Sequence, residues 1–196
     1  RDAEVIHPPV DTTFFARGEG ARGRSGFLVV SALVAYKSVA LAVAWANRYQ
    51  RKLTIIGDGP EEKRLKEEAG ANVDFIHGAT KEDLACAYRS AEALLFCGIE
   101  DFGIVPIEAM ASGCPVVAFA AGGCLETVVG DGPEATGTFF HHQDIVSLNN
   151  AVEELERRKA GGLMRPKVLM DHAQHFCSEI FRRRIAKALE NVSGLL

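Results

Sequence analysis

Short apolar runs recur along the chain at Phe27–Ser31, Leu53–Gly57, Val73–Ile76, Ala93–Cys97, Val116–Phe119 and Gly137–Phe140. Most are continuous rather than alternating, the pattern of strands buried on both faces of a parallel sheet. Between them the apolar residues fall at helical spacing. From Tyr36 to Tyr49, the residues Val39, Ala42, Val43 and Ala46 share one face. A second helix is expected to open at Pro60, with Glu61 and Glu62 in its first turn. Thr80 is expected to cap a helix over Lys81–Ser90, with Asp83 three residues on to complete a capping box. A short apolar helix carrying Glu108, another over Cys124–Val129 and a charged amphipathic one over Asp144–Lys159 complete the alternation. Strands and helices in turn, about six of each, predict an α/β fold, a doubly wound parallel sheet of about six strands. We expect one domain over 1–196, with its core over about 26–160 and two further helices over about 165–193.

The connecting stretches are less regular. Val5–Asp11 should be extended, since each residue before a proline is pushed out of the helical region. The glycine-rich basic stretch 16–26 reads as a solvated linker; the sharper alternative is that Arg17, Arg22 or Arg24 reaches an anionic ligand or lipid surface. Arg182–Arg184 reads as a solvated face.

Composition narrows the classes. A net charge of −4 gives no overall field to draw nucleic acid. No apolar run approaches the roughly 20 residues of a membrane span. Cys86, Cys97, Cys114, Cys124 and Cys177 form no C-x-x-C pair, which suits reduced, mostly buried thiols in a cytoplasmic protein. Arg1–Glu4 lacks a signal-peptide layout and is expected to be a cut within a longer chain.

The candidate chemistry gathers in Glu100–Glu108, between the strand at Ala93–Cys97 and the next helix. Two carboxylates eight residues apart would then lie at the carboxyl end of a strand, where open parallel sheets bind ligands. Free amides at the helix start can hold a phosphate while the carboxylates hold hydroxyls beside it. Lys37, placed in the first turn of its helix, is unfavourable against the helix dipole. Either it is a plain surface lysine or it reaches across to a bound anion.

Other motifs fail. Gly57 and Gly59 are followed by Glu62 where a dinucleotide fingerprint needs its third glycine. There is no phosphate-loop sequence, no D-x-D and no G-x-S-x-G elbow. Glu100 and Glu108 could in principle be a glycosidase acid and base, but they flank a phosphate-type turn. His141 and His142 are neighbours on a strand and point to opposite faces. His172 and His175 read as a surface pair.

The stretch Glu100–Ala118 resembles the E-x7-E signature of glycosyltransferase family 4, retaining enzymes of the GT-B fold. The resemblance extends to Val5–Asp11, Ala35–Ala42, Ile56–Glu61 and Ala120–Val128, so five motifs stand in the family's order over roughly 5–155. It implies that the chain is the C-terminal donor-binding domain, with a second Rossmann-like acceptor domain in front of it. By position, Lys37 and Glu100 would be catalytic: Lys37 neutralising the leaving diphosphate, Glu100 bonding the donor sugar. Phe102, Gly103, Ile104 and Val105 would offer backbone amides, and Glu108 would hold the ribose diol. Gly57 would admit the nucleotide close to the backbone, and Ile76 and His77 would lie against the base.

The implied reaction is retaining hexose transfer with no cofactor, metal or enzyme nucleophile. GDP-mannose is the first expected donor, from the mannosyltransferase-like wording of the motif, and UDP-glucose the second. The implied partners are the donor, a glycan or lipid-linked acceptor and the preceding domain, with no nucleic acid. The implied place is the cytoplasm, peripheral at the inner membrane face through that preceding domain. Many relatives carry arginine where Ala32 or Ser38 stands here. A non-catalytic or degenerate nucleotide-sugar-binding module, and a GT-B-fold epimerase, therefore stay open as alternatives.

Overall fold

The computed structural model describes residues 4–18 and 23–193. Six strands form one sheet: β1 (Phe27–Val30), β2 (Leu53–Ile56), β3 (Val73–Ile76), β4 (Ala93–Phe96), β5 (Val116–Phe119) and β6 (Gly137–Phe140). All pair in parallel in the order β3-β2-β1-β4-β5-β6. Each falls where the apolar runs predict. The helices are α1 (Thr12–Phe15), α2 (Val39–Tyr49), α3 (Glu62–Glu68), α4 (Lys81–Ser90), α5 (Ile104–Ala111), α6 (Cys124–Thr127), α7 (Ile145–Ala160), α8 (Pro166–Ala173) and α9 (Ser178–Ser193).

Alternate strand residues feed two cores, one on each face of the sheet. Phe27, Val29, Leu53, Ile55, Leu95 and Val117 pack against α2, α3 and α7, with Trp45, Leu65 and Leu148 fully buried there. Leu28, Leu94, Phe96, Val116 and Ala118 pack against α4, α5 and α8, around Tyr88, Met110 and Leu169. The chain winds outward from β1 on the first face and from β4 on the second. The strand order therefore reverses between β1 and β4, and this is where such a sheet opens a crevice at its carboxyl edge.

Several boundaries differ from the sequence reading. The helix expected from Tyr36 is broken: Ala35–Lys37 form a separate 3-10 turn, Ser38 takes φ 52°, and α2 starts at Val39. Lys37 thus stands just before the helix, still at its positive end, and its charge there is offset by the Glu100 carboxylate. Pro60 also lies outside its helix, which starts at Glu62. α1 was not expected; Asp11 caps it through a bond from Phe14 N at 3.1 Å. The expected capping box is present, with Thr80 Oγ1 accepting from Asp83 N and Asp83 accepting from Thr80 N.

The amino edge of the sheet shows what the basic stretch does. Arg24 donates to the carbonyls of Tyr88, Ala91 and Gly113 at 2.7–2.9 Å. It joins the carboxyl ends of α4 and α5, whose carbonyls lack partners within their helices. Arg24 is therefore bound on the edge opposite the crevice and is not available to an anion there. Arg17 is exposed and its carbonyl accepts from Arg89; Arg22 lies outside the described residues.

Arg182 and Arg183 are exposed as expected, while Arg184 binds Glu4 and the Val5 carbonyl. The first and last segments thus run together, and Val10 N donates to Phe176 O at 2.9 Å. His172 is not simply on the surface: it is half-buried and its Nε2 lies 2.8 Å from Thr127 O. Cys97, Cys114 and Cys124 are buried as expected, but Cys86 is exposed and Cys177 half-buried.

Candidate functional site

The carboxyl ends of β1, β2 and β3 and the start of α5 enclose a cleft of about 420 Å³. Its walls include Ser31, Ala32, Gly57, Asp58, Gly78 and Val105. Glycine is required at Gly57 by the fold itself. Its φ is 146°, and a Cβ there would stand 1.9 Å from the Ser31 carbonyl oxygen. The loops after β1 and β2 can lie this close only with no side chain between them. Gly59 repeats the arrangement against the Leu33 carbonyl at 2.5 Å.

Lys37 and Glu100 meet across the β1–β4 boundary. Their ion pair leaves the lysine side chain 11% exposed and the glutamate 33% exposed. Lys37 Nζ also lies 4.8 Å from the Tyr36 ring centroid, a cation–π contact. Two close backbone approaches make the meeting possible. Gly98 lets the Lys37 turn press against the β4 loop, since a Cβ on it would be 2.7 Å from Lys37 Cα. Beyond it, Gly122 and Gly123 bring the next loop against Glu100 and Phe102, where a Cβ would come within 2.4 Å of backbone. Gly123 N donates to the Glu100 carbonyl at 2.7 Å.

Gly103 is the turn into α5, at φ 89°, and no side chain caps that helix. The first amides of α5, at Ile104 and Val105, are thus left without a side-chain acceptor beside the Val105 wall of the cleft. Phe102 turns its ring the other way. It stacks on His7 at 4.9 Å between centroids and meets Phe176 edge-on at 5.8 Å. His7 in turn pairs with Glu126 at 3.3 Å. The chain's two terminal segments therefore anchor the loop between Glu100 and Glu108.

Glu108 lies one turn into α5 and accepts from Tyr88 Oη at 3.1 Å. Burial raises its carboxyl pKa above the usual range, against smaller opposing effects of the Tyr88 bond and the Lys81 charge. Burial, then the Glu108 charge, likewise push the Tyr88 phenol far up. Ile76 ends β3 and His77 follows it, just before Gly78 of the cleft wall. Ile76 is exposed, and His77 Nε2 is 3.3 Å from Glu62 and 3.2 Å from Lys66 Nζ.

The structure thus brings Lys37 to Glu100 and places Gly57 and Val105 on one cleft; Ile76 and His77 directly precede its Gly78 wall but do not line it. It puts the Phe102 ring elsewhere, leaving only its backbone toward the loop. Sequence reasoning missed Tyr88, Gly98, His7 and Gln143. Gly98 had a signal in its position between a strand and Glu100. His7 lies within the Val5–Asp11 motif, which marks it only as part of that stretch; Tyr88 and Gln143 reach the site from distant segments and carry no local mark.

A parallel sheet in this strand order, with glycine-dependent loops and a paired acid and base at its switch point, defines an α/β domain of the kind that opens a ligand crevice at its carboxyl edge. Residues 13–167 match the family model described as glycosyl transferases group 1, and the chain belongs to that family. It is 31% identical to the D-inositol 3-phosphate glycosyltransferase of Mycobacteroides abscessus, over 88% of this chain and 43% of that protein. The protein of the same name from Mycobacterium tuberculosis strain H37Ra is also 31% identical, over 90% of this chain and 41% of its own length. The chain therefore spans about two fifths of these relatives.

Among solved structures, sucrose-phosphate synthase from Thermosynechococcus elongatus superposes with a TM-score of 0.80. Its identity is 24%, covering 98% of this chain and 53% of that one. Anabaena HepE in complex with UDP and glucose gives 0.75 at 19% identity, covering 95% and 56%. These confirm the fold, one Rossmann-like half of a GT-B arrangement.

Proposed function

We propose that this domain holds the donor for a retaining hexosyl transfer from a nucleoside-diphosphate sugar. The observation that carries the reading is the Lys37–Glu100 pair at the sheet's switch point, beside the uncapped start of α5. In the bound state Lys37 turns from Glu100 to the diphosphate, and Glu100 is released to accept hydroxyls of the sugar. The α5 amides, from Gly103 to Val105, meet the negative charge that grows as the diphosphate leaves. Glu108, ionised, accepts both ribose hydroxyls, while Tyr88 fixes its orientation. Gly57 and Ala32 leave room for the nucleotide, and Ile76 offers an apolar surface to the base, with His77 at its edge.

The family resemblance assigns attack from the same face that the diphosphate leaves, with no metal. GDP-mannose is the preferred donor and UDP-glucose the second. A glycan or lipid-linked acceptor is proposed, and the names of the curated relatives add an inositol phosphate as a class to test. The acceptor would enter through a preceding domain, and the enzyme would work in the cytoplasm, peripheral to the membrane through that domain. Among the described residues, no helix is long and apolar enough to cross a membrane.

Titration calorimetry of both nucleotide sugars into this chain and into Glu108→Ala tests the donor site. Binding by the wild type and a roughly ten- to hundredfold loss in the variant, the worth of charge-assisted bonds, are expected. If neither donor binds at millimolar concentration, the reading falls. A transfer assay of the full-length protein with labelled donor then separates transfer from epimerisation.

One observation favours the degenerate module as the second reading. Ala32 is exposed on the cleft wall and Arg24 is committed to the opposite edge, so neither supplies a second cation beside Lys37. Donor binding with no transfer by the full-length protein would select it.

A further inference from the structure

We propose that Gln143 is a positioning residue for Lys37, holding the turn that presents its ammonium. Gln143 lies in the loop between β6 and α7. That loop is fixed to α7 on its own side: Asp144 accepts from Ser147 N at 2.8 Å, and His142 N donates to Ser147 Oγ at 3.3 Å. The Gln143 side chain reaches the other way, to the end of β4. Its Nε2 donates to the Cys97 carbonyl at 2.9 Å and to Ser38 Oγ at 3.1 Å. A carbonyl oxygen can only accept, so the amide nitrogen must face Cys97. Both amide hydrogens are then used.

The two acceptors are informative. Ser38 directly follows Lys37, and Cys97 directly precedes Gly98, on whose bare backbone Lys37 Cα rests. One carboxamide therefore ties together the two loops that carry Lys37 and Glu100, and it does so from a third strand end. Ser38 needs such support. It is a non-glycine residue at φ 52°, a conformation that persists where its surroundings over-determine it. Its other bonds, Ser38 N to Ala35 O and Leu41 N to Ser38 O, lie within its own segment. Among the described residues, the Gln143 bond is the hydrogen bond of Ser38 that leaves its own segment, beside the Lys37–Glu100 pair. Gln143 itself is exposed and adds nothing to either core, so its removal should act on the turn and leave the sheet intact.

This inference rests on the donor reading for its purpose, but not for its test. Lys37 is shielded by its pair with Glu100, so its acylation rate reports its placement without any ligand. Gln143→Ala and Ser38→Ala are compared with wild type by amine acetylation and peptide mass spectrometry, using exposed Lys167 as internal reference. Acetylation of Lys37 is expected to rise about three- to tenfold in both, the worth of one or two hydrogen bonds, with Lys167 unchanged.

Calorimetry with GDP and UDP, against guanosine and uridine, should show a comparable loss for the diphosphates alone. Gln143→Ala should add no further loss in a Lys37→Ala background. A merely structural role would weaken nucleoside and diphosphate together, and would overturn the proposal. So would an unchanged Lys37 rate in both folded variants, checked by circular dichroism. A raised rate with no diphosphate loss in Lys37→Ala would support the positioning and overturn the donor reading instead.

Discussion

Lys37 and Glu100 come from loops 63 residues apart and neutralise each other at the point where the sheet reverses its strand order. A diphosphate would have to compete with Glu100 for the ammonium, and a sugar hydroxyl with Lys37 for the carboxylate. The pair holds both groups in place, the lysine nearly buried and the glutamate partly exposed, so each is oriented before a ligand arrives.

That competition has a consequence of opposite sign for two ligands. In Glu100→Gln, Lys37 loses its internal partner and the free diphosphate gains, so GDP or UDP should bind about three- to tenfold tighter. The intact nucleotide sugar loses its hydroxyl acceptor and should bind weaker by a similar factor, the scale of one charge-assisted bond. Calorimetry of both ligands on one variant checks it; a change in the same direction for both would contradict the competition.

Glu108 gives a pH prediction. Its folded pKa is raised above the ordinary value of about 4.5, chiefly by burial. A carboxyl raised in this way stabilises the fold while protonated. That contribution is complete below about 4.5 and is lost as pH rises through the higher folded value. Glu108→Gln cannot ionise, so its urea midpoint should exceed the wild type's at pH 7 and approach it near pH 4. Donor binding should run the other way. It needs the carboxylate, so affinity falls as pH drops through the raised pKa, and Glu108→Gln should bind weakly and without that pH dependence.

The order of the elements was readable because each strand is a short apolar run bounded by polar or glycine-rich stretches. Where the reading slipped, the cause was local geometry that composition does not encode. Ser38 carries no mark of a left-handed conformation, so the sequence pattern alone runs α2 back over Lys37. Arg24 looked like a solvated cation because the carbonyls it binds, at Tyr88, Ala91 and Gly113, are 64 to 89 residues away. The signature carboxylates were visible as a spacing. Tyr88 and Gln143 reach that neighbourhood through tertiary contacts, and no spacing announces them.

The cysteines offer a check on packing that needs no ligand. Burial pushes the Cys97 thiol up to about 12 and Cys114 up to about 11. Cys124 is pushed up to about 12, by burial first and the Glu100 charge second. These three should resist iodoacetamide at pH 8 in the native protein, because the thiolate is the reactive form. Exposed Cys86 should alkylate first and half-buried Cys177 more slowly. Peptide mass spectrometry over time gives the order; early labelling of Cys124 would mean that α6 does not pack beneath the Glu100 loop.

Two positions with unusual backbone should respond in opposite senses. Gln50 ends α2 at φ 51°, a left-handed cap where glycine is the usual residue, and its side chain does no more than bond Asn47 O nearby. Gln50→Gly should stabilise the fold by about 1 kcal/mol, the strain a left-handed conformation imposes on a side chain. Gly57→Ala should destabilise it on the order of 3 kcal/mol, since the new methyl would be driven into the Ser31 carbonyl and the loops after β1 and β2 would have to part. Urea unfolding of both variants measures the difference. Because those loops are the cleft wall, Gly57→Ala should also lose donor affinity beyond what its stability explains, whereas Gln50→Gly, at the far end of α2 from Lys37, should leave donor binding unchanged.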